Sequence, residues 1–247
     1  MTRRSIIAPL ALAATLAAGA LGCSNGGSLD AARLLRPPAP VGPAADSPAA
    51  ALRLFEWAYN NKADATHRTL FTEDFRFVFD PVDSSGLAYP TTPWGRDDEL
   101  ASATHLFVGG KAGRSPASSI TLRLDRNFVV TPDPSSIAWD PEGRWHASVR
   151  TQIFLTIQCP DGAGWDISGA ATFALVRGDS ALIPADLVDR GFLRDSTRWW
   201  IDRCLDETAH PDGGGGVAVA ATMRRPAPLE TQPTSNTTWG SVKVLYR

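Results

Sequence analysis

The chain is poor in the residue types that build metal and redox sites, with three cysteines and four histidines in 247 residues. No two histidines stand at metal-ligand spacing and no HExxH occurs, so no metal and no cofactor is expected. No Gly-x-Ser-x-Gly is present, and neither Cys159 nor Cys204 has a recognisable catalytic partner, which leaves nucleophilic catalysis without support. Basic charge is not in surplus either: 24 Lys and Arg stand against 26 Asp and Glu, with no cluster beyond short pairs. That excludes the footprint of a phosphate backbone, and nucleic acid is not an expected partner. Four consecutive glycines, Gly213–Gly216, invite a phosphate-loop reading, but no Gly-Lys-Ser/Thr follows them. A flexible linker is the better account.

What is present begins with an address. Met1-Thr2-Arg3-Arg4 precedes an uncharged run from Ser5 to Gly22, the pattern of a secretory signal. The run is near the lower limit for crossing a bilayer, so an uncleaved anchor is the alternative. Ala20-Leu21-Gly22-Cys23 resembles the bacterial lipobox, with Ala20 where the motif usually has leucine. That resemblance implies removal of residues 1–22, lipidation of Cys23, and attachment to a membrane through acyl chains worth about 0.8 kcal/mol per buried CH₂. Ser24, in place of the aspartate that resembles an inner-membrane retention signal, favours the outer membrane, on its periplasmic or surface face. Loss of Arg3 and Arg4, with no acid, leaves the mature chain at about −4.

Residues 23–46 are rich in Pro, Gly and Ala and read as a lipidated, disordered tether. Residues 47–207 read as the compact domain, long enough to bury a core without disulfides or metal. Residues 208–247 read as a loose Gly/Pro-rich extension with a short terminal element. There Trp239, Val242 and Tyr246 fit a helical face, and Val242, Val244 and Tyr246 fit a strand face; a short helix docking back on the domain is preferred.

Within the domain, Ser47-Pro48 predicts a helix start, with Ala51, Leu54, Phe55 and Ala58 as its apolar stripe. A second helix is expected from Asp64 to about Phe71, then a strand in "DFRFVFD". Thr92-Pro93 predicts a third helix start, with Leu100, Ala103 and Phe107 buried and Gly109-Gly110 as its end. Period-two alternation then predicts strands over "ITLRLDRNFVV", "WHASVRTQIFLTIQC", "WDISGAATFALVR" and "TRWWIDRCLDE". The expected class is α+β: helices first, then a curved antiparallel meander covered by them. In that order the strand 165–177 lies between Cys159 and Cys204. Their backbones would be about 9–10 Å apart, beyond the roughly 7 Å a disulfide tolerates. Free, buried thiols are predicted.

With "RLFEWAYNNKADATHRTLFTEDFRFVF" at the front and "RWWIDRCLDET" at the back, the domain resembles the nuclear transport factor 2-like superfamily, which includes ketosteroid isomerase, scytalone dehydratase and polyketide cyclases. A lipocalin-like or cystatin-like α+β layer is the alternative. The resemblance implies a cone-like sheet around the helices, a pocket for an apolar small molecule, and pairing of two copies through the sheet. It sets Phe55, Tyr59, Trp94, His105 and Trp199 around that pocket.

Asp80, in "FVFDPVDSSG", looks like the Asp-Pro-Val segment that carries the isomerase's general base. A proton shift between carbons also needs an oxyanion donor, and the isomerase's tyrosine falls near Phe55, which has none; Tyr59 lies one turn further on. Asp80 read as a turn starter before Pro81 is the plainer account. His105, one residue off its helix stripe, is the second candidate base. His146, Arg150 and Asp166 form a third candidate group, or a solvated cross-strand charge cluster. Trp145, Trp165, Trp199 and Trp200 read as core before ligand stack. The expected function is a non-catalytic small-molecule-binding or protein-assembly module of the cell envelope. The alternative is an isomerase, dehydratase or cyclase acting on an apolar carbonyl compound, with Asp80 or His105 as base.

Overall fold

The computed structural model describes residues 41–79, 94–208 and 237–247. Cys23 and Asp80 lie outside the described residues, as does the Gly213–Gly216 run.

Helix α1 (Pro48–Asn60) starts as its sequence predicts: the Ser47 hydroxyl accepts from the Ala50 N–H at 3.1 Å and Pro48 needs no partner for its nitrogen. Its buried stripe is Ala51, Leu52, Leu54, Phe55, Ala58 and Tyr59. Helix α2 (Asp64–His67) is a single turn, shorter than expected, because Phe71 already enters strand β1 (Phe71–Val78). Strand β2 (Trp94–Gly95) pairs with β1, Trp94 opposite Phe77. Helix α3 (Arg96–Phe107) therefore starts later than Thr92-Pro93 suggests. Its N-terminal signal is Asp98, whose carboxylate accepts from the Gly95 N–H at 3.2 Å within an acidic first turn.

The remaining strands are β3 (Ser119–Leu124), β4 (Val130–Pro132), β5 (His146–Gln158), β6 (Gly164–Arg177) and β7 (Trp199–Glu207). Between β6 and β7 lies the short helix α4 (Ala185–Val188), and helix α5 (Trp239–Tyr246) ends the chain. Strand order is β2-β1-β7-β6-β5-β3, with β4 also on β5. The fold is α+β, helices packed on a curved sheet that is antiparallel except where β1 joins β7 in parallel. The expected meander holds for β5-β6-β7, while β1 departs from it by closing on the last strand.

The inner face carries Val149, Ile153, Leu155 and Ile157 of β5 against Trp165, Ile167, Phe173 and Leu175 of β6, all buried. Each such side chain contributes about 1.5–3 kcal/mol by leaving water. Edge strand β3 is covered by polar groups of α1. Asn60 exchanges two hydrogen bonds with the Leu122 backbone, at 3.0 and 2.6 Å, and Glu56 accepts from the Leu124 N–H at 3.1 Å. The two side chains, one helical turn apart, occupy ladder positions that would otherwise face a second chain.

The run 120–130 is not one strand. The Asp125 carboxylate accepts from the Gln152 N–H at 2.8 Å and so replaces the next rung of the β3–β5 ladder. The chain leaves the sheet there and returns as β4, where Val130 is 45 % exposed rather than on the buried apolar face. Strand β6 also departs from strict alternation. Ala174 and Val176, on its outer face, are buried, and Val176 joins Ala181, Leu187 and Trp200 in a second apolar cluster under residues 178–198. Gly178 permits this approach, since a Cβ there would stand 1.8 Å from the Asp195 carbonyl oxygen. Arg198 lies over the Trp200 and Phe192 rings at 4.6 and 5.1 Å.

Cys159 and Cys204 are both free and buried, with β6 between their strands. Alkylation of the denatured, unreduced protein followed by mass spectrometry should label both. An unlabelled pair would contradict this strand order.

Candidate functional site

The interior between sheet and helices holds one charged cluster, assembled by two helix faces that each carry an ionisable residue on an apolar stripe. On α3, Glu99 shares its face with Ser102, Ala103 and Leu106; on α5, Lys243 shares its face with Trp239, Val242 and Tyr246. Glu99 is 1 % exposed and Lys243 4 %. The Lys243 ammonium donates to Glu99 Oε1 and lies 3.4 Å from the Tyr59 hydroxyl. Trp94 Nε1 donates to Glu99 Oε2 at 3.3 Å. The ammonium also sits 4.8 Å from the Phe77 ring centroid and 4.5 Å from that of Trp239, within cation–π range.

His67 completes the cluster. Its Nε2 is 3.8 Å from Glu99 Oε1, outside hydrogen-bonding range, and neither ring nitrogen has a partner. Burial first, then Lys243 and Arg68, hold its pKa well below 6.5, so the ring is neutral near pH 7 and makes no ion pair. Burial also pushes the Tyr59 hydroxyl up to about 12 despite the lysine beside it. For Lys243 burial acts downward, but its neighbours, the Glu99 carboxylate foremost, together outweigh it and hold the ammonium above its usual range.

Helix α5 is seated at both ends. Thr238 and Ser241 cap it reciprocally at 3.0 Å, and Asp206 Oδ2 accepts from the Gly240 N–H at 2.7 Å. Ser102 Oγ donates to the Lys243 carbonyl at 3.0 Å, and the Tyr246 hydroxyl donates to the Ser115 carbonyl at 3.0 Å. Between α5, α3 and the sheet remains a cavity of about 10 Å³, lined among others by Tyr59, Ser102, Leu155 and Lys243, with room for about one water. Chemically, the arrangement binds an ammonium group. Glu99 is neutralised where it stands and is not free to abstract a proton.

The residues predicted from sequence divide. Phe55, Tyr59 and Trp94 do come together here. Phe55 packs on Phe173 and Trp239 at 5.6 and 6.0 Å, and Tyr59, not Phe55, supplies the interior hydroxyl. His105 lies at the outer side of α3 with Nδ1 donating to the Tyr246 carbonyl at 2.7 Å, and it is not among the cavity's lining residues. Trp199 is buried elsewhere, its backbone N–H on the Ala45 carbonyl at 2.8 Å. Asp80 falls outside the described residues. His146, Arg150 and Asp166 are not one group: Arg150 pairs with Glu207 at 2.8 Å and Asp166 accepts from Thr156 at 2.8 Å. His146 instead stands 3.5 Å from Asp140, whose carboxylate gathers three backbone N–H groups of a turn. Glu99, His67, Lys243 and Trp239 were not singled out as site residues from sequence. The available signal was a charge at i+4 from Trp239 on the terminal stripe, and another at i−4 from Ala103. Among the described residues no group of three or more His, Cys, Asp or Glu is placed to hold a metal ion, and no helix is long and apolar enough to cross a membrane.

The pair and the histidine each have a measurable consequence. Glu99→Gln, which strands the buried ammonium, should cost about 3–5 kcal/mol in denaturant unfolding. The double variant Glu99→Met with Lys243→Met should be at least as stable as the natural protein, because removing both charges also removes their desolvation cost. For His67 the folded pKa is depressed. At and above neutral pH both states are unprotonated, and below about 6.5 the unfolded chain takes up a proton that the folded one refuses. Stability should therefore fall with pH below about 6.5, with a limiting slope of ~1.4 kcal/mol per unit. His67→Phe should flatten that slope in melts between about pH 6.5 and 5, and an unchanged slope would place the titration elsewhere.

The sequence matches no protein-family model and no curated protein. Solved structures to which the chain is similar include a conserved protein from Planctomyces limnophilus, 13% identical, covering 63% of this chain and 88% of that one at a TM-score of 0.41. Another is a nuclear transport factor 2-like superfamily protein from Salmonella enterica serovar Typhimurium, 15% identical over 67% of this chain and 90% of that one, TM-score 0.40. A ketosteroid isomerase-like protein from Erwinia carotovora atroseptica is 12% identical over 64% and 89%, TM-score 0.36.

Proposed function

We propose that this protein is a non-catalytic small-molecule-binding module of nuclear transport factor 2-like fold, held on the cell envelope by a lipidated Cys23, whose binding chamber is closed by its own terminal helix α5. The observation that carries the reading is the Glu99–Lys243 pair. Two charges taken out of water cost several kcal/mol each, and a well-packed apolar pair in their place is often as stable or more so. A carboxylate kept inside an aromatic chamber is better accounted for as a recognition group than as a source of stability. The chamber lies between amphipathic helices and the inner face of a curved sheet, the position the resemblance implies for a ligand. Two features favour binding over turnover: Glu99 is already engaged by Lys243, and His105 is engaged by the Tyr246 carbonyl.

Gly240 gives the means of opening the chamber. A Cβ there would stand 2.7 Å from the Phe79 ring and 3.0 Å from Asp206 Oδ2, so Gly240→Leu should unseat α5 while every chamber-wall residue keeps its identity. In the full chain, this variant should bind N-phenyl-1-naphthylamine, a neutral apolar fluorophore, at least tenfold more tightly than the natural protein does, while its circular dichroism keeps the sheet signal. Equal dye binding by the two folded proteins would remove the chamber. Attachment is tested separately: Cys23→Ser should abolish both acylation and the removal of residues 1–22, each read by intact mass.

A further inference from the structure

We infer that the chamber recognises a primary ammonium compound with a flat apolar body, an arylalkylamine in chemical class, and that α5 occupies it with Lys243 and Trp239 as an internal copy of that ligand. The inference rests on the binding reading above and names the ligand that reading leaves open.

Three observations converge on it. The first is what α5 presents. Trp239 and Lys243, one turn apart, place an indole and an ammonium on one helix face with the charge 4.5 Å from the ring. The second is what remains on the wall when α5 is taken away. Glu99 keeps one oxygen on Trp94 Nε1, and its other oxygen faces the space Lys243 filled. Phe77 and the Tyr59 hydroxyl surround that same space. A carboxylate at the bottom of an aromatic-walled chamber selects a cation with apolar substance behind it, by charge pairing and by the ring faces together. The third is His67, fully buried, with both ring nitrogens unpartnered. Being neutral, it brings no competing charge to Glu99, and it leaves an unused polar ring nitrogen 3.8 Å from Oε1.

The same wall rejects other classes. An anionic compound meets Glu99 as a like charge. A neutral alcohol of the same shape leaves the carboxylate buried and unpaired, the arrangement that costs most. Selectivity for ammonium over its neutral isostere is therefore the signature of the site, whereas apolar binding alone is the signature of the chamber.

The experiment uses the full chain carrying Gly240→Leu, with tryptamine and its neutral isostere tryptophol as probes in titration calorimetry at pH 7. Tryptamine should bind at least tenfold more tightly than tryptophol, and Glu99→Gln in the same chain should abolish the difference. Equal affinities, or a preference that survives Glu99→Gln, would overturn the ligand class while leaving the chamber reading intact. Loss of both probes and of the neutral dye from a folded variant would overturn the chamber reading itself. Lys243→Ala gives a second route that does not depend on unseating α5. Millimolar n-butylammonium should raise its melting temperature by several degrees and n-butanol should not, and an equal shift from the two would again sink the inference.

Discussion

The interior of this domain is organised by one ion pair taken out of water. Glu99 on α3 and Lys243 on α5 meet where the surroundings are aromatic, so neither charge has a solvent alternative and each is tolerated only because the other is there. That dependence fixes more than the two side chains. It sets the depth to which α5 sits, brings Trp239 against Phe55, Tyr59 and Phe77, and holds Trp94 in hydrogen bond to the same carboxylate. Burial is what keeps the neighbours uncharged: the ammonium adds to the depression of His67, whereas Tyr59 stays un-ionised in spite of it.

The rest of the architecture supplies the dry frame in which the pair can persist. Long strands β5 and β6 give an inner face that is apolar but for Thr151, and α1 lies across it while its own polar residues satisfy the exposed rim of β3. Polar groups near the chamber's edge are likewise spent on backbone partners. Ser102 and His105 bind α5 carbonyls, and the Tyr246 hydroxyl binds that of Ser115. With those groups engaged, Glu99 is the charge in the chamber whose partner comes from the terminal helix, and the binding reading follows from that asymmetry.

Much of the frame was legible from local sequence. The Ser-Pro start of α1 and the alternation of β5 act through neighbours in the chain, where capping geometry and strand pleat leave few options. The separation of Cys159 from Cys204 was legible too, because strands consecutive in the chain usually pair side by side. Expectations failed where a distant partner intervened. Asp125 ended β3 by reaching the Gln152 N–H, and Trp94 was drawn into β2 by Phe77. The outward-facing Val176 of β6 was buried by a segment from further along the chain. Of the candidate site, Phe55, Tyr59 and Trp94 were readable as aromatics facing inward, whereas the groups that give the chamber its charge were not.

By itself the sequence determined the class of fold, the start of the first helix, the inward faces of the principal strands and the lack of a surplus of basic residues. Each of these follows from spacing or composition within one segment. Tertiary structure alone decided that Glu99 and Lys243, 144 residues apart, are interior partners rather than solvated charges at the edge of two apolar stripes. The reason is physical. A charged residue on an amphipathic helix is read as surface unless a counter-charge awaits it in a place without water, and only the docking of α5 on α3 creates that place and supplies the counter-charge together.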